Sequence, residues 1–282
     1  MRIKNNISAV NASRNHGISQ GKMAKSLEKL SSGYRINRAG DDAAGLALSE
    51  GMRAQIRGLD QAMRNCDDGI GLVNTGEGTL TEVHSMLHRL KTLAIESANG
   101  TYNSTARANI EQERLELLNE IDRIGGSSEF NEIPLFESGS GFVVPAKPPE
   151  RKDDIVLQIG HSSQETLDVT RYYVSSKALG IDDIDLTNTK DANNAIPKIE
   201  TAIQAVTTIR STFGAAENHL QHTHNNLSVT TENMTAMESG IRDADVSSEF
   251  TVFTAENIVS QAALSMLTQA NAVPQRVLDI LQ

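Results

Sequence analysis

Tryptophan is absent from this 282-residue chain, aromatic residues make up 4% of it, and it holds one cysteine. So few large rings exclude a thick globular core and favour thin helical packing. The lone Cys66 rules out an internal disulfide framework. Its place among helical apolar positions marks it as a buried, inert thiol. No run approaches the ~18 apolar residues of a membrane span. The opening Met1-Arg2-Ile3-Lys4-Asn5-Asn6 lacks the apolar run and cleavage site of a secretory signal, and by that test alone the chain reads as cytosolic. A net charge of −10 argues against nucleic acid and anionic membranes as partners.

What is present is periodic. Ile199, Val206, Phe213, Leu220, Leu227, Met234 and Ile241 stand seven apart, the mark of a helix lying along another helix. A second ladder matches it: Leu59, Cys66, Val73, Leu80, Leu87 and Ala94, with Met63, Ile70, Val83 and Leu90 as intermediate rungs. The two are expected to form the core of one bundle, with a third helix over about Thr105–Ile124 that ends at Gly125-Gly126-Ser127-Ser128. Gly69, Gly71, Gly76 and Gly78 interrupt the second ladder at about 1 kcal/mol each against Ala. Either packing overrides that cost or the helix is loose near Asn74.

Between the ladders the character changes. Asn131–Glu150 holds Pro134, Pro145, Pro148 and Pro149 and reads as loop. Ile155–Ile159 and Thr166–Val174 are β-rich runs split by His161–Glu165, a hairpin signal. A short acidic segment after Gly180 leads into the long helix. The fold expected is mainly α: a long helical rod or coiled-coil bundle, a small β-hairpin tip at about 137–180, and paired terminal helices.

Those terminal helices are thin. Residues 1–35 carry Ile3, Ile7, Val10, Ile18, Leu27 and Leu30 on a sparse stripe, and about Ser247–Ala270 carries Phe250, Phe253, Leu264 and Leu267 among polar residues. Leu278 and Leu281 belong to an apolar C-terminus beyond Pro274. Ordering each residue costs about 1–2 kcal/mol, and such stripes repay little of it alone. Folding coupled to association resolves the deficit, and a head-to-tail contact builds an open helical polymer.

No catalytic constellation competes with that reading. His84-Ser85-Met86-Leu87-His88 has the two-histidine spacing of a zinc protease helix, but Ser85 stands where the general-base Glu must be. The pair reads as surface histidines. His219, His222 and His224 do not share one helix face. Gly69–Asn74 fails the dinucleotide fingerprint. Asp41-Asp42 and Asp182-Asp183-Asp185 lack the pattern of a calcium loop and read as caps or solvated turns. Neither an enzyme, a cofactor site nor a metal site is expected.

Lys29-Leu30-Ser31-Ser32-Gly33-Tyr34-Arg35-Ile36-Asn37-Arg38-Ala39-Gly40-Asp41-Asp42-Ala43-Ala44-Gly45-Leu46-Ala47 resembles the N-terminal signature of bacterial flagellin. So do Gln55–Leu59, Glu96–Thr101 and Glu120–Ile124, and near the C-terminus Glu238-Ser239-Gly240-Ile241-Arg242-Asp243-Ala244-Asp245, Ser260–Ala262 and Gln269–Asn271. The resemblance covers about residues 1–136 and 175–282.

It implies a structural subunit of the flagellar filament, with an inner polymerisation domain (1–43 and 242–282) and an outer bundle domain (44–241). It also implies export through the flagellum's own type III channel, which replaces the cytosolic reading with an extracellular filament, or a periplasmic one. Export chaperone, junction and cap proteins are the implied partners besides further copies of the chain. A hook–filament junction protein of the same superfamily is the alternative. The family's contact with the vertebrate Toll-like flagellin receptor carries over to Arg89, Leu93 and Glu113, expected on one exposed ridge. Thr92 and His88 depart from the usual acid and Gln nearby.

Overall fold

A computed structural model describes residues 6–137 and 154–281, with side chains up to Pro274. Expectations that fall on Ile3, on residues 138–153 or on the side chains of Leu278 and Leu281 lie outside that range. Five helices dominate: α1 (Ile7–Ser32), α2 (Ala43–Ala98), α3 (Ser104–Ser127), α4 (Thr189–Arg242) and α5 (Val246–Leu281). Between α3 and α4 the described residues form six short strands: β1 (Glu129–Phe130), β2 (Ile133–Pro134), β3 (Phe136–Glu137), β4 (Ile155–Gln158), β5 (Thr166–Val169) and β6 (Tyr172–Tyr173). The mainly helical fold with a small hairpin is therefore present. The chain packs as two units, Met1–Ile56 with Glu232–Gln282, and Arg57–Thr231. These divisions fall inside α2 and α4, whereas the boundaries expected at 43/44 and 241/242 coincide with helix ends.

In the unit Arg57–Thr231 the core follows the two ladders. Leu59, Cys66, Val73, Leu80, Leu87 and Ala94 are buried on α2, and Ile199, Val206, Phe213 and Leu220 on α4. Burial pushes the Cys66 thiol up from its ordinary value. Leu227 is only half-buried. Ile110, Leu118 and Ile121 of α3 close the third side. The acidic segment after Gly180, which looks like a linker in the sequence, is part of this core: Leu179, Ile181, Ile184 and Leu186 are all buried. It is tied down by α3 and α2. Asp122 accepts from the Ser176 backbone N–H and hydroxyl at 2.6 and 2.8 Å, Glu111 accepts from the Leu186 N–H at 3.0 Å, and Ser97 donates to the Leu186 carbonyl.

The glycines of α2 do not loosen it; the helix is continuous from Ala43 to Ala98. A Cβ on Gly76 would lie 2.6 Å from the Phe213 ring, and one on Gly69 would meet Leu157 at 2.7 Å and Leu220 at 3.1 Å. The propensity cost is offset because α4 and the β4–β5 hairpin use that space. Phe213 then stacks on Phe136 at 6.2 Å and tilts toward Tyr172 at 6.3 Å, joining helix core to the parallel β3–β6 pair.

Three boundaries differ from the sequence reading. The loop expected from Asn131 begins instead with a β1–β2 hairpin whose two-residue turn holds Asn131 and Glu132 at φ 51° and 64°. Helix α3 continues through Gly125 and Gly126 to Ser127. Gly125 sits against the Val174 carbonyl, where a Cβ would lie 1.8 Å from the oxygen, so it serves close packing rather than termination. Helix α5 runs through Pro274 to Leu281 instead of ending near Ala270. Pro274 has no N–H for the carbonyl four residues earlier, Ala270. Asn6 supplies the missing donor, its side-chain amide reaching the Ala270 oxygen at 2.7 Å.

The adjacent glycines of α3 give a matched test. Gly125→Ala should lower the stability of the chain by about 1–3 kcal/mol through overpacking. Gly126→Ala, with nothing within 4 Å of its Cβ, should raise it by about 0.5–1 kcal/mol. Thermal unfolding of both variants checks the pair; equal effects of the same sign would contradict the packing role.

Candidate assembly surface

In the unit formed by the chain ends, α1 lies antiparallel against α5, and its contacts are polar. Lys22 pairs with Glu256 at 2.8 Å, Ser26 donates to Glu249 at 2.6 Å, and Lys29 reaches Glu249 at 3.4 Å. His16 Nδ1 lies 3.3 Å from the Ser260 carbonyl and 3.2 Å from its hydroxyl. The buried residues of α1 are Ser19 and Ser26; among the described side chains of α5 the buried one is Ser260. Most of the large apolar side chains point elsewhere. Ile7 is 62% exposed, Val10 63%, Leu27 56%, Phe250 59% and Leu264 50%, while Leu30, Phe253 and Leu267 are partly covered.

This inverts the usual arrangement of an amphipathic helix pair, in which apolar residues face the partner. Small and polar groups let α1 and α5 meet, and the apolar surface is left for something else. Ala12, Ser19, Ser26 and Gly33 stand seven apart. That heptad of small residues is the sequence signal for the α1–α5 seam, and a search for apolar ladders passes over it.

The connectors at the ends of this pair are fastened together. Gly33, in the left-handed conformation at φ 75°, caps α1 with its N–H on the Lys29 carbonyl at 2.8 Å. The Arg35 N–H donates to the Arg242 carbonyl at 2.7 Å, and the Ala244 N–H to the Gly33 carbonyl at 2.9 Å. The Arg242 guanidinium lies 5.0 Å from the centre of the Tyr34 ring and pairs with Glu50. Asp42 caps α2 through the Gly45 N–H at 2.9 Å, and Asp41 accepts from the backbone of Asn37 and Arg38. Asp245 caps α5 through Ser247 and Ser248. The residues around Gly33–Gly45 and around Arg242–Asp245 are thus hydrogen-bonded to one another.

Residues 3–140 match the family model of the bacterial flagellin N-terminal helical region, and residues 196–281 match that of its C-terminal helical region. The chain belongs to the bacterial flagellin family. It is 45% identical over 284 residues to a flagellin of Halalkalibacterium halodurans, with all of both chains covered. It is 42% identical over 306 residues to a flagellin of Bacillus subtilis, again end to end. A crystal structure of Bacillus cereus flagellin aligns at 31% identity and a TM-score of 0.49, over 62% of this chain and 94% of that one. The family is structural, not enzymatic, and this member is the short form without a large outer domain.

The three residues that resemblance assigned to receptor contact do not share a surface. Arg89 and Glu113 are exposed and paired at 2.6 Å across α2 and α3. Leu93 is 1% exposed and lies in the core cluster. One helical turn beyond Arg89, its side chain is withdrawn from solvent. The expected single ridge is corrected accordingly. Among the remaining histidines, His224 lies 3.6 Å from Asp67. Met234, the last but one rung of the α4 ladder, is half-buried within the unit of the chain ends.

The polar seam has a pH signature. The hydrogen bond and charge of Lys22 hold the Glu256 carboxyl below its ordinary value, with a further hydrogen bond from Ser19. A depressed carboxyl stabilises the folded form at and above the ordinary carboxylate range and loses that contribution as pH falls through its folded value. Acid should therefore loosen α1 from α5. Amide protection factors in α1, relative to the intrinsic exchange rate at each pH, should fall below about pH 4, and Glu256→Gln should remove part of that pH dependence. An unchanged acid profile in the variant would show that the pair contributes nothing.

Proposed function

We propose that this chain is the repeating subunit of a flagellar filament, built by stacking the outward apolar faces of α1 and α5 against other copies. One observation carries the reading: the terminal helix pair buries serines and exposes isoleucine, valine, leucine and phenylalanine. Each such side chain gains about 1.5–3 kcal/mol when fully buried. A dozen of them on two helices supply the association energy that the α1–α5 seam lacks. End-to-end likeness to curated flagellins supports a filament subunit over a junction protein.

Two parts of the mechanism follow. The terminal helices become stably ordered when neighbours cover them, because their own seam is polar. The chain reaches the filament by export in an unfolded state, which a polar, weakly held terminal pair facilitates; chaperone, junction and cap proteins belong to that route. The same outward faces are the sites where those proteins and the next subunit compete.

The bundle and the terminal pair should respond separately. Phe213→Ala should destabilise the monomer by about 3–5 kcal/mol. Leu264→Ala should leave the monomer's melting temperature unchanged and raise the critical concentration for assembly about tenfold. Amide exchange in α1 and α5 should be fast in the monomer and slow in the filament. Sedimentation of seeded assemblies and electron microscopy read the outcome, and persistent monomers of the wild type after seeding would refute the subunit assignment.

A second reading rests on the exposed Arg89–Glu113 pair, whose fixed cation and anion fit recognition by the Toll-like flagellin receptor. With Leu93 buried, the contact is polar. An Arg89→Ala/Glu113→Ala monomer should signal more weakly than wild type in receptor-bearing cells; equal signalling excludes it.

A further inference from the structure

His84 and His88 stand one turn apart on α2, with Nε2 atoms 3.0 Å from each other and ring centres 4.6 Å apart at an interplanar angle of 74°. This is the one histidine pair among the described residues whose ring nitrogens meet. His84 is half-buried beside α4 and His88 is exposed. The Nδ1 of His84 is buried without a hydrogen-bond partner, so Nε2 is the nitrogen open to a ligand.

The distances carry a specific geometry. Two imidazoles joined by a straight N–H···N bond of this length would place their ring centres about 5.3 Å apart; two ligating one ion at about 2.1 Å and a right angle would place the nitrogens about 3.0 Å and the centres about 4.6 Å apart. The observed pair has the second set of values. Both rings rise from one face of α2, four residues apart. A tetrahedral ion would open the nitrogens to about 3.4 Å. The right angle suits neighbouring positions of a tetragonal ion, and among first-row divalent metals Cu(II) holds imidazole most tightly.

We propose that His84 and His88 form a chelating site for Cu(II), with water in the remaining positions. No third His, Cys, Asp or Glu among the described residues joins the pair, so the site is open and non-catalytic. The helix supplies preorganisation: Val83 and Leu87, beside the two histidines, are fully buried and hold α2 in place. Arg210 of α4 is the opposing charge. Its guanidinium is held by Glu77 at 3.2 Å. Each subunit of a polymer would carry one such site.

The test is titration of the full-length monomer with CuCl2 in a non-coordinating buffer, followed by calorimetry and electron spin resonance. One equivalent should bind with a signal from two imidazole nitrogens. His88→Gln, at an exposed position, should abolish that equivalent while leaving the far-ultraviolet circular dichroism unchanged, and His84→Gln should do the same. His219→Gln/His222→Gln/His224→Gln should retain it. Unaltered binding in His88→Gln, or a signal from a single imidazole, would overturn the proposal and leave the pair as a hydrogen bond between neutral rings.

Discussion

A helix pair whose fully buried residues are serines gains little from its own hydrophobic effect. That constraint governs the terminal unit. The α1–α5 seam contains Ser19, Ser26 and Ser260, with Lys22, Lys29, Glu249 and Glu256 along its edge. Exposed ion pairs contribute about 0–1 kcal/mol each, too little to offset the ordering of so many residues. The apolar side chains displaced to the outside are therefore not a defect of the pair. They are the part of its stabilisation that other copies of the chain must complete.

The central unit solves the opposite problem. Its ladders, on α2 from Leu59 to Ala94 and on α4 from Ile199 to Leu220, are buried without help, and the packing is close enough that side chains occupy the space over Gly69 and Gly76. Phe213 occupies one such space and meets Phe136 and Tyr172 from the strand region. One large ring in a chain nearly without them thus ties helices to strands. The small tip needs no core of its own, because Val169, Val174 and the 179–186 segment share that of the helices.

Motif and geometry illuminate each other at the connectors. Gly33–Gly45 and Arg242–Asp245 are far apart in sequence, and either alone reads as an irregular turn with charges. Together they form a hydrogen-bonded unit in which Arg242 meets a ring, a carboxylate and a backbone partner. The same principle explains Asn6 and Pro274: a proline that should end a helix is tolerated because a distant amide satisfies the carbonyl it abandons.

The seven-residue ladders, the hairpin near His161–Glu165 and the thin terminal stripes were legible in the chain itself, because periodicity and turn chemistry are local properties. So was the family, since its motifs are long and ordered. Three things were not legible. Which face of α1 turns inward depends on α5, and small residues at Ala12, Ser19, Ser26 and Gly33 leave no hydrophobic signal. Whether Gly125 ends a helix or admits the Val174 carbonyl depends on the chain just after β6, nearly fifty residues away. Leu93 looks like an available anchor by spacing, yet it is buried because α2 is surrounded on that side. Local pattern determined which elements form; only tertiary packing decided which faces they keep, since burial belongs to pairs of elements and never to one alone.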